Sequence, residues 1–115
     1  MMECTRAEEV WHTYMYTLDG KPFGYAKWRK QGEAAEFHNE MYQHTRSALT
    51  ISREIFEDIK RDMQQAGCTH VVVADKNENV DAKRLHYWKF MGFDKAGICE
   101  GYTFAVMGVS CQQSQ

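Results

Sequence analysis

The chain has 115 residues, a formal net charge of −2 and 43% hydrophobic content. That length suits a single domain rather than two independent cores, and it should bury roughly 65% of the surface exposed by the unfolded chain, enough for stability without metal or disulfides. With a pI of about 6.2, no global field draws in nucleic acid or an anionic membrane.

The longest uninterrupted aliphatic stretch is VVVA, residues 71–74, far too short to span a bilayer. The start, MMECTRAEEV, carries early acidic residues and no apolar core, so it does not read as a secretory signal. Cys4, Cys68, Cys99 and Cys111 are scattered without CxxC spacing. This argues against structural zinc and fits reduced thiols in a cytoplasmic protein.

Residues 9–19, EVWHTYMYTLD, alternate and are rich in aromatic and β-branched types, the pattern of a strand. Asp19-Gly20 then signals a hairpin, because both turn positions favour positive φ. A second strand runs from Pro22 to about Lys30, and Gln31-Gly32 turns the chain into a third over residues 33–42. Residues 43–50, QHTRSALT, read as a loop. From Ile51 to residue 66 the apolar positions Ile51, Ile55, Phe56, Ile59 and Met63 repeat as on an amphipathic helix, with Gly67 as its left-handed cap.

CTHVVVAD follows. Its Val run lacks alternation, which predicts a strand covered on both faces. NEN makes a polar turn, and a second helix starts near Asp81. At 100° per residue Val80, Leu85, Tyr87, Trp88 and Met91 form one stripe that should pack on the sheet, while Lys83, His86 and Lys89 point away. Gly92 stops this helix and Phe93 drops into the core. Two short strands, about residues 93–99 and 102–109, close a single domain over residues 1–109, and residues 110–115 form a frayed tail. The order βββ-α-β-α-ββ predicts an α/β fold with a mixed, mostly antiparallel sheet and two flanking helices.

Other motifs fail on their details. DKNENVDAKRLH, from Asp75, has oxygen donors at alternate positions like a calcium loop, but Val80 replaces the turn glycine and His86 the bidentate glutamate. The basic aromatic helix keeps its rings on the buried stripe, so it does not read as a nucleic-acid surface. No spacing suggests a Ser/His/Asp or Cys/His hydrolase.

Helix, Gly92-Phe93 and a closing strand pair, together with the element order from about residue 9 to 109, resemble the GNAT superfamily of N-acetyltransferases. The resemblance implies that strands 33–42 and 68–75 splay apart. Acyl-CoA, with acetyl-CoA the expected cofactor, would then lie in the gap, its pyrophosphate at the start of the intervening helix. Backbone N–H groups at a helix start bind phosphate oxygens.

The family's phosphate loop is similar to Arg/Gln-x-x-Gly-x-Gly/Ala, and here the matching stretch is Arg46-Ser-Ala-Leu49-Thr-Ile51. Arg46 fits. Leu49 and Ile51 replace small residues and narrow the approach, leaving the N–H groups of residues 49–52 for binding. The cofactor contacts implied by the resemblance are Met41, Gln43, Arg46, Ser47, Leu49, Thr50, Ile51 and Ser52, with Arg84 as an anion contact or a snorkelling cation. The family's tyrosine acid, four residues before the glycine, is here Trp88, which cannot supply a proton near neutral pH. Tyr87 is adjacent but turned roughly 100° around the helix.

Glu36, His38 and Glu40 share one face of the third strand, and the resemblance implies Glu36 or Glu40 as general base. Same-face neighbours lie nearly 7 Å apart, which disfavours a metal there. Few residues precede the first strand, so the acceptor side should be open, or completed by a second subunit or a partner protein. Two functions follow from the resemblance: an acyl-CoA-dependent N-acyltransferase, or a GNAT-derived binding or structural protein similar to small tailed-phage products, a virion component among them.

Overall fold

In a computed structural model, residues 10–109 are described. Six strands and two helices follow one another as β1 (His12–Leu18), β2 (Lys21–Gln31), β3 (Ala34–Met41), α1 (Arg46–Gln65), β4 (His70–Lys76), α2 (Ala82–Met91), β5 (Lys95–Cys99) and β6 (Tyr102–Gly108), with a 3-10 turn, Asn77–Asn79, before α2. They form one sheet in the order β1-β2-β3-β4-β6-β5. The βββ-α-β-α-ββ reading therefore holds, and β3·β4 is the parallel pair in an otherwise antiparallel sheet. The expected tail lies outside the described residues. Among those described, no helix is long and apolar enough to cross a membrane.

Turn chemistry sets the hairpins. Asp19 and Gly20 both take positive φ, 55° and 79°, as the first hairpin requires. Glu100 and Gly101 do the same, at 47° and 87°, between β5 and β6.

Both helices lie on one face of the sheet, a correction to the reading of the Val run. Phe37 of β3 meets Phe56 of α1 at 4.8 Å between ring centroids. In the ladder Ala35, two residues before Phe37, pairs with Val71, and Val71 pairs with Met107, so these side chains share that face. The sulfur end of Met107 in turn approaches Gly92 at the end of α2. Val71 and Val73 are buried on the helix side and Val72 is half-exposed on the other, so the run does alternate. A strand can be wholly aliphatic with only one face covered by a helix.

Helix α1 buries Ala48, Ser52, Phe56, Ile59 and Met63, one stripe at helical spacing. Gly92 caps α2 at φ 111°, and the Phe93 N–H bonds the Trp88 carbonyl at 3.0 Å. Phe93 then stacks on Phe56, centroids 5.8 Å apart, so the Gly-Phe stop docks onto α1. Leu85 departs from the expected stripe: it is 40% exposed, while Trp88 and Met91 are buried.

Candidate functional site

The parallel ladder between β3 and β4 is short. Ala34, Ala35 and Glu36 pair with His70, Val71 and Val72, and pairing ends there. Beyond that point residues 37–41 stay laddered to β2, while residues 73–76 stay laddered to β6. The two strands diverge and leave a wedge. Its facing backbone groups have no ladder partner, and buried backbone groups require one.

The start of α1 stands at the open end of this wedge. Thr45 is the N-cap, its hydroxyl accepting from the Ala48 N–H at 3.1 Å. The helix thus begins at Arg46, not Ile51, and the expected phosphate loop is its first two turns. The Leu49 N–H bonds the Thr45 carbonyl at 3.0 Å, and those of Thr50, Ile51 and Ser52 lie deeper in the helix. Those N–H groups are committed to helical bonds, contrary to the sequence expectation. The groups without an intrahelical acceptor are the N–H groups of Arg46 and Ser47, and both side chains are exposed. Thr50 and Gln43 are exposed too, and Ile51 packs along the core.

A cavity of about 650 Å³ reaches α1 at Leu49 and is lined by residues that also include Met41, Tyr87 and Phe90. Its charged and titratable rim consists of His44, Lys83, Arg84 and His86 against Asp81. Arg84 is fixed rather than free: its Nε donates to Asp75 Oδ2 at 2.8 Å, and its guanidinium lies 5.5 Å from the Trp88 ring centroid. Lys83 and His86, expected to point away from the sheet, line this opening.

A polar network crosses the wedge on the helix side. Asn39 Nδ2 donates to the hydroxyls of Tyr87 (3.0 Å) and Tyr16 (3.3 Å). Ser52 Oγ donates to the Leu49 carbonyl at 2.8 Å, which leaves it to accept from Tyr87, 2.9 Å away. Burial pushes the Tyr87 hydroxyl above the ordinary 10.0, with its bonds to Ser52 and Asn39 opposing, and Tyr16 is raised further for the same chief reason. Trp88, at the expected acid position, lies in the core with its Nε1 unpartnered. The hydroxyl that reaches the wedge from α2 is that of Tyr87.

The base candidates occupy the opposite sheet face. Glu36 accepts from Arg29 Nε at 2.8 Å and lies 2.7 Å from His38 Nε2. Burial works to raise the Glu36 carboxyl, yet the bonds from His38 and Arg29 together hold it below the ordinary 4.5. Glu40 is exposed and accepts from the Tyr25 hydroxyl at 3.3 Å. Among the described residues no group of three His, Cys, Asp or Glu side chains converges as metal ligands would.

Of the expected site residues, Met41, Leu49 and Arg84 meet at the cavity, Arg46 and Ser47 stand at the helix tip, and Ser52 joins the network. Sequence reasoning missed Tyr16, Asn39 and His44. Asn39 carried a signal, being a polar residue in register with the core positions Ala35 and Phe37.

No family model matches the chain, and no curated protein matches it in sequence. Solved structures do match. An aminoglycoside 6'-acetyltransferase type Ii aligns with a TM-score of 0.71 at 9% identity, over 90% of this chain and 72% of that one. The GNAT domain of S. lividans PAT aligns at 0.69 and 13% identity, over 85% of this chain and 60% of that one. The chain has the GNAT fold. The Campylobacter jejuni N-acetyltransferase PseH in complex with acetyl coenzyme A shares it at 0.63 and 12% identity, over 85% of this chain and 67% of that one. At such identities the likeness speaks for the GNAT architecture, and the chemistry rests on the chain's own residues.

Proposed function

We propose that this chain is an acyl-CoA-dependent N-acyltransferase that holds acetyl-CoA in the β3–β4 wedge. The observation that carries this reading is the end of the parallel ladder at Glu36↔Val72, beside a cavity with a cationic rim at a helix start. Donors suited to a pyrophosphate are the N–H groups of Arg46 and Ser47 at the start of α1, aided by the helix dipole, and Lys83 and Arg84 on the cavity rim. Leu49, in the cavity wall, restricts the space available. When bound, the cofactor supplies a thioester-activated acyl group.

The chain's own groups do the rest. Unpaired backbone groups of residues 37–41 orient the ligand as an added strand would. Tyr87, kept protonated by burial, holds the proton that a departing thiolate takes up. The face bearing Glu36, His38 and Glu40 receives the amine. It is partly exposed, with Met15 at 56%, so a second subunit or a protein partner would complete the acceptor site. Cysteines scattered without CxxC spacing, with Cys68 a free thiol, fit a cytoplasmic setting.

Thermal unfolding with and without acetyl-CoA tests the reading. A ligand at 100 times its Kd stabilises by about 2.7 kcal/mol. Leu49→Gly, at a constant cofactor concentration, should enlarge the shift by removing cavity-wall atoms, despite a helix cost of about 1 kcal/mol. No shift at millimolar acetyl-CoA in either protein would instead favour a GNAT-fold binding protein without the chemistry, such as a virion component.

A further inference from the structure

Helix α2 walls two cavities that share no lining residue. Lys83, Arg84, Tyr87 and Phe90 line the one at the wedge. Leu85, Trp88 and Lys89 line a second, of about 240 Å³, between α2 and the β5–β6 hairpin. Its floor is Trp88, Phe93 and Ala105, all buried, and its mouth is Leu85, Lys89, Asp94 and Ala96, all exposed.

Small residues make this space. Ala105 pairs with Val73, on the helix side of the sheet, and Ala96 is the β5 partner of Ala105. Two alanines therefore lie side by side across the cavity from α2, where branched side chains would fill the gap. Leu85, which the helical stripe predicts to be packed, stands instead at the mouth, 40% exposed. Protein interiors are close-packed, with few voids larger than a water.

The floor also holds an unsatisfied donor. Trp88 is only 3% exposed, and its Nε1–H has no acceptor among the described residues. Buried polar groups are paired with few exceptions, and an indole nitrogen donates only. The partner it lacks is an acceptor lone pair. A bound water needs about two to four polar partners, and the floor side chains offer one, so an apolar molecule with a single acceptor suits the site better. Lys89 and Asp94 stand at the mouth with opposite charges, which favours a neutral ligand.

We propose that this cavity is a second ligand site, for a small neutral carbonyl compound whose apolar body lies on Phe93, Ala96 and Ala105 and whose oxygen accepts from Trp88 Nε1. A cavity of ~150 Å³ takes up benzene, so this one has room for a ring with a short substituent, about ten heavy atoms. No residue of the wedge takes part, so the site is independent of the acyltransferase reading.

Acetophenone and α-methylstyrene are the probes: they share one planar shape, with a carbonyl oxygen in the first and a methylene group in the second. Titrations of the full chain are followed by nitrogen-15 correlation spectra. Acetophenone should move one indole N–H signal downfield and saturably, the signal missing from Trp88→Phe, and bind about threefold or more tighter than α-methylstyrene. Trp88→Phe keeps an aromatic ring, removes the donor and should bring the two affinities together. Ala96→Leu, at the exposed mouth, should abolish both titrations, and it serves as the test if Trp88→Phe does not fold. Equal affinities in the unmodified chain, no saturable shift at millimolar acetophenone, or titrations unchanged by Ala96→Leu would overturn the site. So would a concentration-dependent dimer that Ala96→Leu dissociates, since the occupant would then be a second copy of the chain.

Discussion

Along β3, residues 34–36 have strand partners on both sides, whereas residues 37–41 pair with β2 alone. The first part is placed by backbone hydrogen bonds. The second keeps its ladder to β2 and has side-chain contacts in place of the β4 ladder: Phe37 against Phe56 of α1, Asn39 between Tyr16 and Tyr87, and Glu40 to Tyr25. The difference shows how a strand gives up one ladder without losing its position. Backbone groups released from pairing become available to a ligand because the side chains have taken over the anchoring. The residues with chemistry to offer, His38, Asn39 and Glu40, begin where the ladder stops.

The comparison is broken most severely at its anchor. Phe56→Ala removes a fully buried ring that holds both Phe37 and Phe93, and should cost 3–5 kcal/mol, on the order of other buried Phe truncations, in denaturant unfolding. Tyr87→Phe keeps the packing and removes the wedge-facing proton. It should lower the acylation rate by about 100-fold, roughly 2.7 kcal/mol of barrier, while acetyl-CoA affinity stays within about twofold. Asn39→Ala leaves the Tyr16 and Tyr87 hydroxyls short of a donor, and calorimetry should find about 1–3 kcal/mol of lost stability.

The smallest effect is in pH dependence. The folded Glu36 pKa is depressed, so its stabilisation is complete above its ordinary value of 4.5 and disappears as pH falls through the lower folded value. Unfolding titrations should show this acid limb vanish in Glu36→Gln. Because the side chain is 30% exposed, the contribution is discounted to about 1 kcal/mol or less.

Much of this architecture was legible in the residues. Asp19-Gly20 marked the first hairpin through its positive φ demand, and Gly92-Phe93 marked the helix stop and the docking ring. The helix start was misplaced because residues 46–50, mostly polar and ending in the β-branched Thr50, read as loop and because no acidic or amide residue at position 48 completes a capping box with Thr45. For the adjacent pair Tyr87-Trp88 the burial of Trp88 was legible, but the bonds of the Tyr87 hydroxyl to Asn39 and Ser52 were not. Periodicity locates a stripe without saying which hydroxyls and amides meet across elements. The Glu36–His38 bond was equally out of reach, since strand alternation puts residues on a common face without saying which side chains meet.

The central claim, that the wedge receives an acyl-CoA thioester, is tested most directly by a backbone amide NMR titration with acetyl-CoA. Saturable shifts should concentrate in residues 37–41, 45–49 and 83–87, with residues 34–36 and the β5–β6 hairpin unmoved. A spectrum unchanged at millimolar acetyl-CoA, or shifts confined to β5 and β6, would contradict the account.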